Sequence, residues 1–332
     1  MTTRAEIHAA LDAVWDARES RRRDLHKALD ERMGWDAAEF KESEHPRKDD
    51  GKFGKGSGGG SGALKSYASR EEWPEHIKAL KVPPAWTDVK VADNPEASVQ
   101  AVGKDAKGRS QSIYSKRFTD TQAALKFERI ASLEKDMPLI DGQLAEMRKS
   151  KEPIARAHGD CITLIREMGV RPGGEEDTGA KVKAYGASTL EGRHVVINGD
   201  DVRLKFIGKK GVSIDLPVEN KSLAAMLKAR ATKAGTNGRV FNGVTSSSLL
   251  STMHGELDHG GYKTKDLRTH LATSTAHKLV SSMPAPKDAK TYKKQVLEVA
   301  KAISAKLGNT PTVALQSYIA PQVFAQWRAA YA

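Results

Sequence analysis

The sequence predicts an α+β protein. A small β-rich amino-terminal unit precedes a mainly α-helical unit into which a three-stranded antiparallel sheet is inserted. Three observations carry this. Residues 82–115 and 186–216 hold alternating or β-branched runs bounded by Gly, Asn and Asp turn signals. From about 121 onward the remaining apolar residues recur at helical spacing. A chain of 332 residues, 39% hydrophobic, is long enough for two cores. These patterns set a helical extension over 1–42, a flexible Gly/Ser/Lys-rich linker over 43–65, the β-rich unit over 66–128 and the helical unit over 129–332.

Each element has its own reason. In the first 40 residues Ile7, Leu11, Val14 and Trp15, then Leu25, Leu29 and Met33, recur at helical spacing around the basic run Arg21–Arg23. GSGGGSG follows and has no side chains to bury, so it reads as a tether. It is not a phosphate loop, because no strand precedes it and no Gly-Lys-Ser/Thr follows. VPPAWTDVKV (82–91) alternates into a strand, and residues 97–115 read as strand, Gly-rich turn, strand. Helices follow with Leu125, Ile130, Leu133, Leu139 and Leu144, then over 154–169, ended by Gly169. HVVING, DVRLKFIG and VSIDLPV are the three inserted strands, joined by NGD and GKKG turns. After Pro217 the pattern is helical to the end, with PQVFAQWRAAYA as the last helix.

Composition narrows the function classes. Against 42 Asp and Glu stand 54 Lys and Arg, a net charge of +12, which points to a polyanionic partner. No apolar run approaches the roughly 18 residues of a membrane span. One cysteine, Cys161, excludes a disulfide framework, and the charged amino terminus lacks a signal core, so a cytoplasmic, reducing compartment is expected. The histidines are scattered and no Cys/His ligand spacing occurs, so neither a metal nor another cofactor is expected.

What remains is a set of cations in distinctive settings. The turn 103–109 carries Lys104, Lys107 and Arg109, a shape suited to gripping a phosphate backbone. Arg171 follows a helix end in MGVRPGGEE; Lys209 and Lys210 sit at a hairpin tip in KFIGKKG. Lys265 and Arg268 lie in YKTKDLRTHLAT, with Asp266 as a candidate helix cap and Arg268 in the first turn. Asn309 and Tyr318 stand in LGNTPTVALQSYIAP.

The order Arg, hairpin Lys, Lys-x-x-Arg, Asn, Tyr resembles that of the type IB DNA topoisomerases. VPPAWTDV, GKDAKGRSQ and KFERI resemble the amino-terminal DNA-clamp domain of the short poxvirus-like and bacterial members. IREMGVRPGGEE, FIGKKGV, KTKDLRT and LGNTPTVALQSYI resemble blocks of their catalytic domain, so the resemblance spans about 80 to 332. HPRKDDGKF resembles segments of phage-encoded proteins. The resemblance implies the fold shared by tyrosine recombinases and these topoisomerases, double-stranded DNA as partner, and a monomer that clamps the duplex. It implies Tyr318 as nucleophile, Arg171 and Arg268 as phosphate ligands and Lys209 as general acid, with Lys210 the alternative. Asn309 stands where many members carry histidine and can donate a hydrogen bond but cannot titrate. Lys265 stands where recombinases usually carry histidine, and Lys104, Lys107, Arg109, Lys210 and Lys265 are implied DNA contacts. Tyr67, Tyr114, Tyr185 and Tyr262 are read as packing or phosphate contacts.

Two competitors remain. A tyrosine recombinase shares fold and nucleophile, but the VPPAWTDV block stands where recombinases usually have a helical arm-binding or core-binding domain. A catalytically silent basic DNA-binding protein would not need the five-residue set.

Overall fold

The computed structural model describes residues 64–174, 182–257 and 261–330. The helical extension over 1–42 and the linker up to residue 63 lie outside the described residues. Two compact units divide between Ala123 and Ala124.

In the first unit four antiparallel strands lie in sequence order: β1 (Leu64–Lys65), β2 (Thr87–Ala92), β3 (Val99–Lys104) and β4 (Ser110–Tyr114). β1 pairs Leu64 with Ala92 and Lys65 with Val91, so the last two residues assigned to the linker are strand. The free edge of β2 accounts for that, which a Gly/Ser-rich composition does not reveal. Trp73, Ile77 (on the single turn α1, Glu75–Lys78), Val82, Val91 and Ala101 form the core. In the β3–β4 turn the Asp105 carboxylate accepts the backbone N–H groups of Lys107 and Arg109, both at 3.0 Å, and the Arg109 guanidinium. That side chain fixes the tip from within, as Asp does in tight turns.

Helix α2 (Lys116–Lys149) begins earlier than its apolar pattern. Ser115 caps it, its Oγ accepting the Phe118 N–H at 3.2 Å. Its buried stripe is Phe127, Ile130, Leu133, Met137, Ile140 and Leu144. Leu139, expected on that face, is 53% exposed; with Ile130, Leu133 and Met137 inward, helical geometry turns Ile140 inward and Leu139 out.

α3 (Pro153–Met168) starts with proline and ends at Gly169, whose left-handed backbone (φ 62°) stops the helix. β5 (Val195–Asn198), β6 (Asp201–Ile207) and β7 (Ser213–Pro217) form the inserted antiparallel sheet, in sequence order. α4 (Lys221–Ala234), α5 (Ser246–Thr252), α6 (Thr264–Ser282), α7 (Ala289–Leu307) and α8 (Pro311–Ser317) follow. The last expected helix is broken: Pro321–Phe324 is a 3-10 turn and only Ala325–Ala329, α9, is α-helical. The turn places Val323 and Phe324 in the core beside Trp327.

Two apolar clusters fill this second unit. One joins α2, α3, the sheet, α4 and α5 through residues such as Ile162, Leu204 and Leu227. The other gathers α7, α8 and α9 through Val299, Ile303, Ala314 and Trp327. Helix α6 serves both, giving Leu267 to the first and Ala272, Ala276 and Val280 to the second. Arg268 stands at that seam, one residue beyond Leu267.

Close backbone approach fixes the loop after α3. The N–H groups of Ala187 and Ser188 donate to the carbonyls of Arg171 and Pro172, both at 2.8 Å. A Cβ on Gly186 would lie 2.5 Å from Gly173 Cα and 2.7 Å from Arg171 O. Gly186→Ala is therefore expected to lower stability by about 1–3 kcal/mol, since backbone must move. Gly142→Ala, inside α2 with open space around its Cβ, should instead raise it by about 0.5–1 kcal/mol. Urea unfolding of the two variants checks both signs.

Candidate active site

Arg268 is buried, 3% exposed, on the second turn of α6. Its two terminal nitrogens donate to the ends of two helices: Nη1 to the carbonyl of Gly169, after α3, and Nη2 to the carbonyl of Leu307, last in α7, at 2.6 Å. Those helix-end carbonyls lack intrahelical partners and carry the negative end of each helix dipole, which suits a cation. Nε has no partner among the described residues. Burial holds the guanidinium below its ordinary pKa, and the nearby Arg171 charge pushes the same way.

The expected cap role of Asp266 is corrected. The N-cap is Lys263, and Asp266 sits three residues in, its carboxylate reaching back to the Lys263 N–H at 3.0 Å. The helix thus starts earlier than a capping aspartate would put it, and Arg268 falls in the second turn rather than the first. Asp266 is also gripped by Arg129 of α2 in two contacts, 2.7 and 3.1 Å.

Arg171, Lys209 and Arg268 line one cleft, with Tyr185, Gly208 and Gly308 among its other walls. Lys209 opens the β6–β7 turn, closed by the Gly208 N–H donating to Val212 O at 2.7 Å. Lys210 takes left-handed backbone (φ 65°) and does not line the cleft. Asn309 follows Gly308, the left-handed cap of α7. Both polar atoms of its side-chain amide are shielded and find no partner among the described residues. An amide left unpaired in a folded interior costs about 1–3 kcal/mol.

Tyr318 is the C-cap of α8, half-buried against the second cluster. Its ring lies under the Arg268 guanidinium, 4.9 Å from carbon to ring centre. Its carbonyl accepts the Thr273 hydroxyl of α6 at 3.0 Å. The other tyrosines are engaged elsewhere. Tyr262 is buried in the first cluster and donates to Asp136 at 2.5 Å, and Tyr67 donates to Asp93. Tyr114 stacks on Phe118. Tyr185, though in the cleft wall, accepts a hydrogen bond from Arg193 at 2.9 Å. The Cys161 thiol is fully buried, and burial pushes its pKa up.

The implied DNA contacts do not gather in this cleft. Lys265 is exposed on the first turn of α6. At the β3–β4 tip Lys104 pairs with Asp88 at 2.6 Å and Arg109 with Asp105 at 2.7 Å. The Lys104–Asp88 pair is exposed on both sides and is worth under about 1 kcal/mol, whereas Asp105 is largely shielded and holds Arg109 as part of the turn. No motif in the sequence marks Tyr185 as part of the cleft wall or Lys126, in KFERI, as a contact of the Ser317 carbonyl.

The cleft gathers two guanidiniums and an ammonium, with a phenol ring packed on one guanidinium. A sequence model of the catalytic core of eukaryotic DNA topoisomerase I matches residues 115–327. This puts the chain among the enzymes that change DNA topology, a class of isomerases. A second, for the amino-terminal domain of bacterial DNA topoisomerase IB, matches residues 66–105, and the chain belongs to the type IB DNA topoisomerase family. Similar curated proteins include DNA topoisomerase 1B of Acanthamoeba polyphaga mimivirus, 27% identical over 74% of this chain and 77% of that protein. DNA topoisomerase I of Monkeypox virus is 24% identical over 75% of this chain and 80% of its own, as is DNA topoisomerase 1B of Vaccinia virus.

Arg268→Lys is expected to lower stability by about 2–3 kcal/mol, because an ammonium cannot hold both helix ends and leaves a buried carbonyl unpaired. Arg171→Lys, half-exposed on its loop, should change it by less than about 0.5 kcal/mol. Denaturant midpoints of the two variants measure the contrast.

Proposed function

We propose that the protein relaxes supercoiled duplex DNA by breaking and resealing one strand through Tyr318. The observation that carries this is the packing of the Tyr318 ring against Arg268, in whose cleft Arg171 and Lys209 also stand. The phenol releases its proton to water, and its oxygen attacks the scissile phosphorus and forms a 3′-phosphotyrosyl bond while the bond to the 5′ oxygen breaks. Charge builds on the non-bridging oxygens, and Arg171 and Arg268 donate to them; guanidiniums supply paired donors where an ammonium supplies a point charge. The unpaired Asn309 amide adds a neutral donor. Lys209 gives its proton to the departing 5′ oxygen. The covalent link keeps the phosphodiester bond energy, so resealing by the returning 5′ hydroxyl needs no ATP, and between the two steps the strand rotates.

The proposed partner is duplex DNA, bound by a monomer whose two units both contact it, in the cytoplasm or nucleoid where that DNA lies. The net charge of +12 supports it. So does the β3–β4 tip, which carries Lys104, Lys107 and Arg109, with Lys104 in a weak exposed pair that can give way to a phosphate.

Negatively supercoiled plasmid should be relaxed in EDTA without ATP, and unchanged plasmid would overturn the proposal. Tyr318→Phe should abolish relaxation and leave DNA binding intact, as read by gel shift; a Phe variant that still relaxes plasmid removes Tyr318 from the mechanism. Lys209→Ala should slow cleavage by about 10²–10⁴-fold on ordinary DNA, the usual worth of a general acid. A 5′-bridging phosphorothiolate, whose sulfur leaves without protonation, should restore much of that rate. Lys210→Ala, outside the cleft, should cleave ordinary DNA at close to the parent rate; the reverse pattern would transfer the acid role to Lys210.

A further inference from the structure

One turn of α2 touches both halves of the catalytic arrangement. Lys126 Nζ donates to the carbonyl of Ser317 at 3.0 Å, the residue immediately before Tyr318. Phe127 is buried in the apolar cluster against which Tyr318 packs. Arg129 makes the paired contact to Asp266, two residues before Arg268. Ser317 ends α8, so its carbonyl has no partner within the helix, and a cation there is favoured. The next carbonyl, that of Tyr318, is held from the other side by Thr273 of α6. The peptide that carries Tyr318 is thus pinned at both ends, by α2 and by α6. The Lys126 ammonium lies 4.1 Å from the centre of the Phe127 ring, and burial lowers its pKa, so this lysine is partly withdrawn from water rather than solvated.

From this geometry we infer that Lys126 is a positioning residue for the nucleophile: it fixes the Ser317–Tyr318 peptide against α2, while Arg129, on the same turn, fixes the helix that carries Arg268. Lys126 itself touches no reacting atom. Its ammonium spends its hydrogen bond on a backbone carbonyl and sets where the phenol stands relative to the guanidinium. A displaced nucleophile loses rate rather than affinity, because binding is spread over many phosphate contacts while in-line attack depends on one distance. The inference rests on Tyr318 being the nucleophile.

The test compares Lys126→Met, which keeps the apolar stem and loses the donor, with Lys126→Arg, which keeps a donor and charge. Single-turnover cleavage of a short duplex that cannot be resealed gives the rate. The dissociation constant is measured with the same substitutions in a Tyr318→Phe background, and the thermal midpoint checks folding. Lys126→Met should cleave about 10–100-fold more slowly, with a dissociation constant within about twofold of the parent. Lys126→Arg should recover most of the rate. A Lys126→Met rate within about twofold of the parent overturns the inference. So does a dissociation constant that rises in step with the lost rate, which would make Lys126 a phosphate contact, or a Lys126→Arg rate no better than that of Lys126→Met. If Lys126→Met fails to fold, Lys126→Gln, polar but too short to reach Ser317, takes its place under the same criteria. Tyr318→Phe runs alongside in the cleavage assay. Cleavage by that control would show that the nucleophile assignment has failed, whereas an inert control with fast Lys126→Met shows that only the positioning role has.

Discussion

A single buried guanidinium organises the catalytic unit. Arg268 donates to the last carbonyls of two helices, at Gly169 and at Leu307, and carries the Tyr318 ring beneath it. A buried cation without partners would be costly, and two helix C-termini are suited to receive one. The arrangement ties α3, α6, α7 and the end of α8 to one point. It also explains why the two glycines that end α3 and α7 are followed so closely by Arg171 and Asn309. Each left-handed cap stops a helix whose carbonyl holds Arg268, and the chain that leaves it supplies the next polar group.

Around that point some polar groups are satisfied within the protein and others are not. Gly169, Leu307, Asp266, Arg129 and Thr273 satisfy donors and acceptors within the protein. By contrast, Arg268 Nε and both side-chain polar atoms of Asn309 have no partner among the described residues. Unpaired polar atoms are rare in a folded interior. These three atoms belong to residues at or beside the cleft, while others, on Gln143, Arg166 and Gln295, lie away from it. Asp160, for comparison, is also buried, but two arginines, Arg148 and Arg230, satisfy it, and it belongs to the framework.

Local chemistry made much of the fold legible. Gly169 and Gly308 ended their helices, and the NGD turn joined β5 to β6 with Gly199 in left-handed backbone. What misled were signals that depend on partners. Leu139 looked like a core residue until its neighbours on α2 set the phase. Leu64 and Lys65 looked like linker until β2 offered an edge. Asp266 looked like a cap, but its carboxylate reaches back one turn and is held by a residue far away in sequence.

The sequence alone determined the family resemblance, the two-unit order and the residue types of the site, because motifs and periodicity are local. Tertiary structure decided which of those residues meet. It put Lys209 in the cleft and Lys210 outside it, because the left-handed turn separates neighbours that composition cannot distinguish. It gave Lys126 a contact with the peptide before Tyr318, 191 positions away along the chain. It also placed the Arg268 guanidinium on two helix-end carbonyls, backbone acceptors that carry no sequence signature. Long-range contacts of this kind depend on where helices terminate in space, and no single stretch of sequence records that.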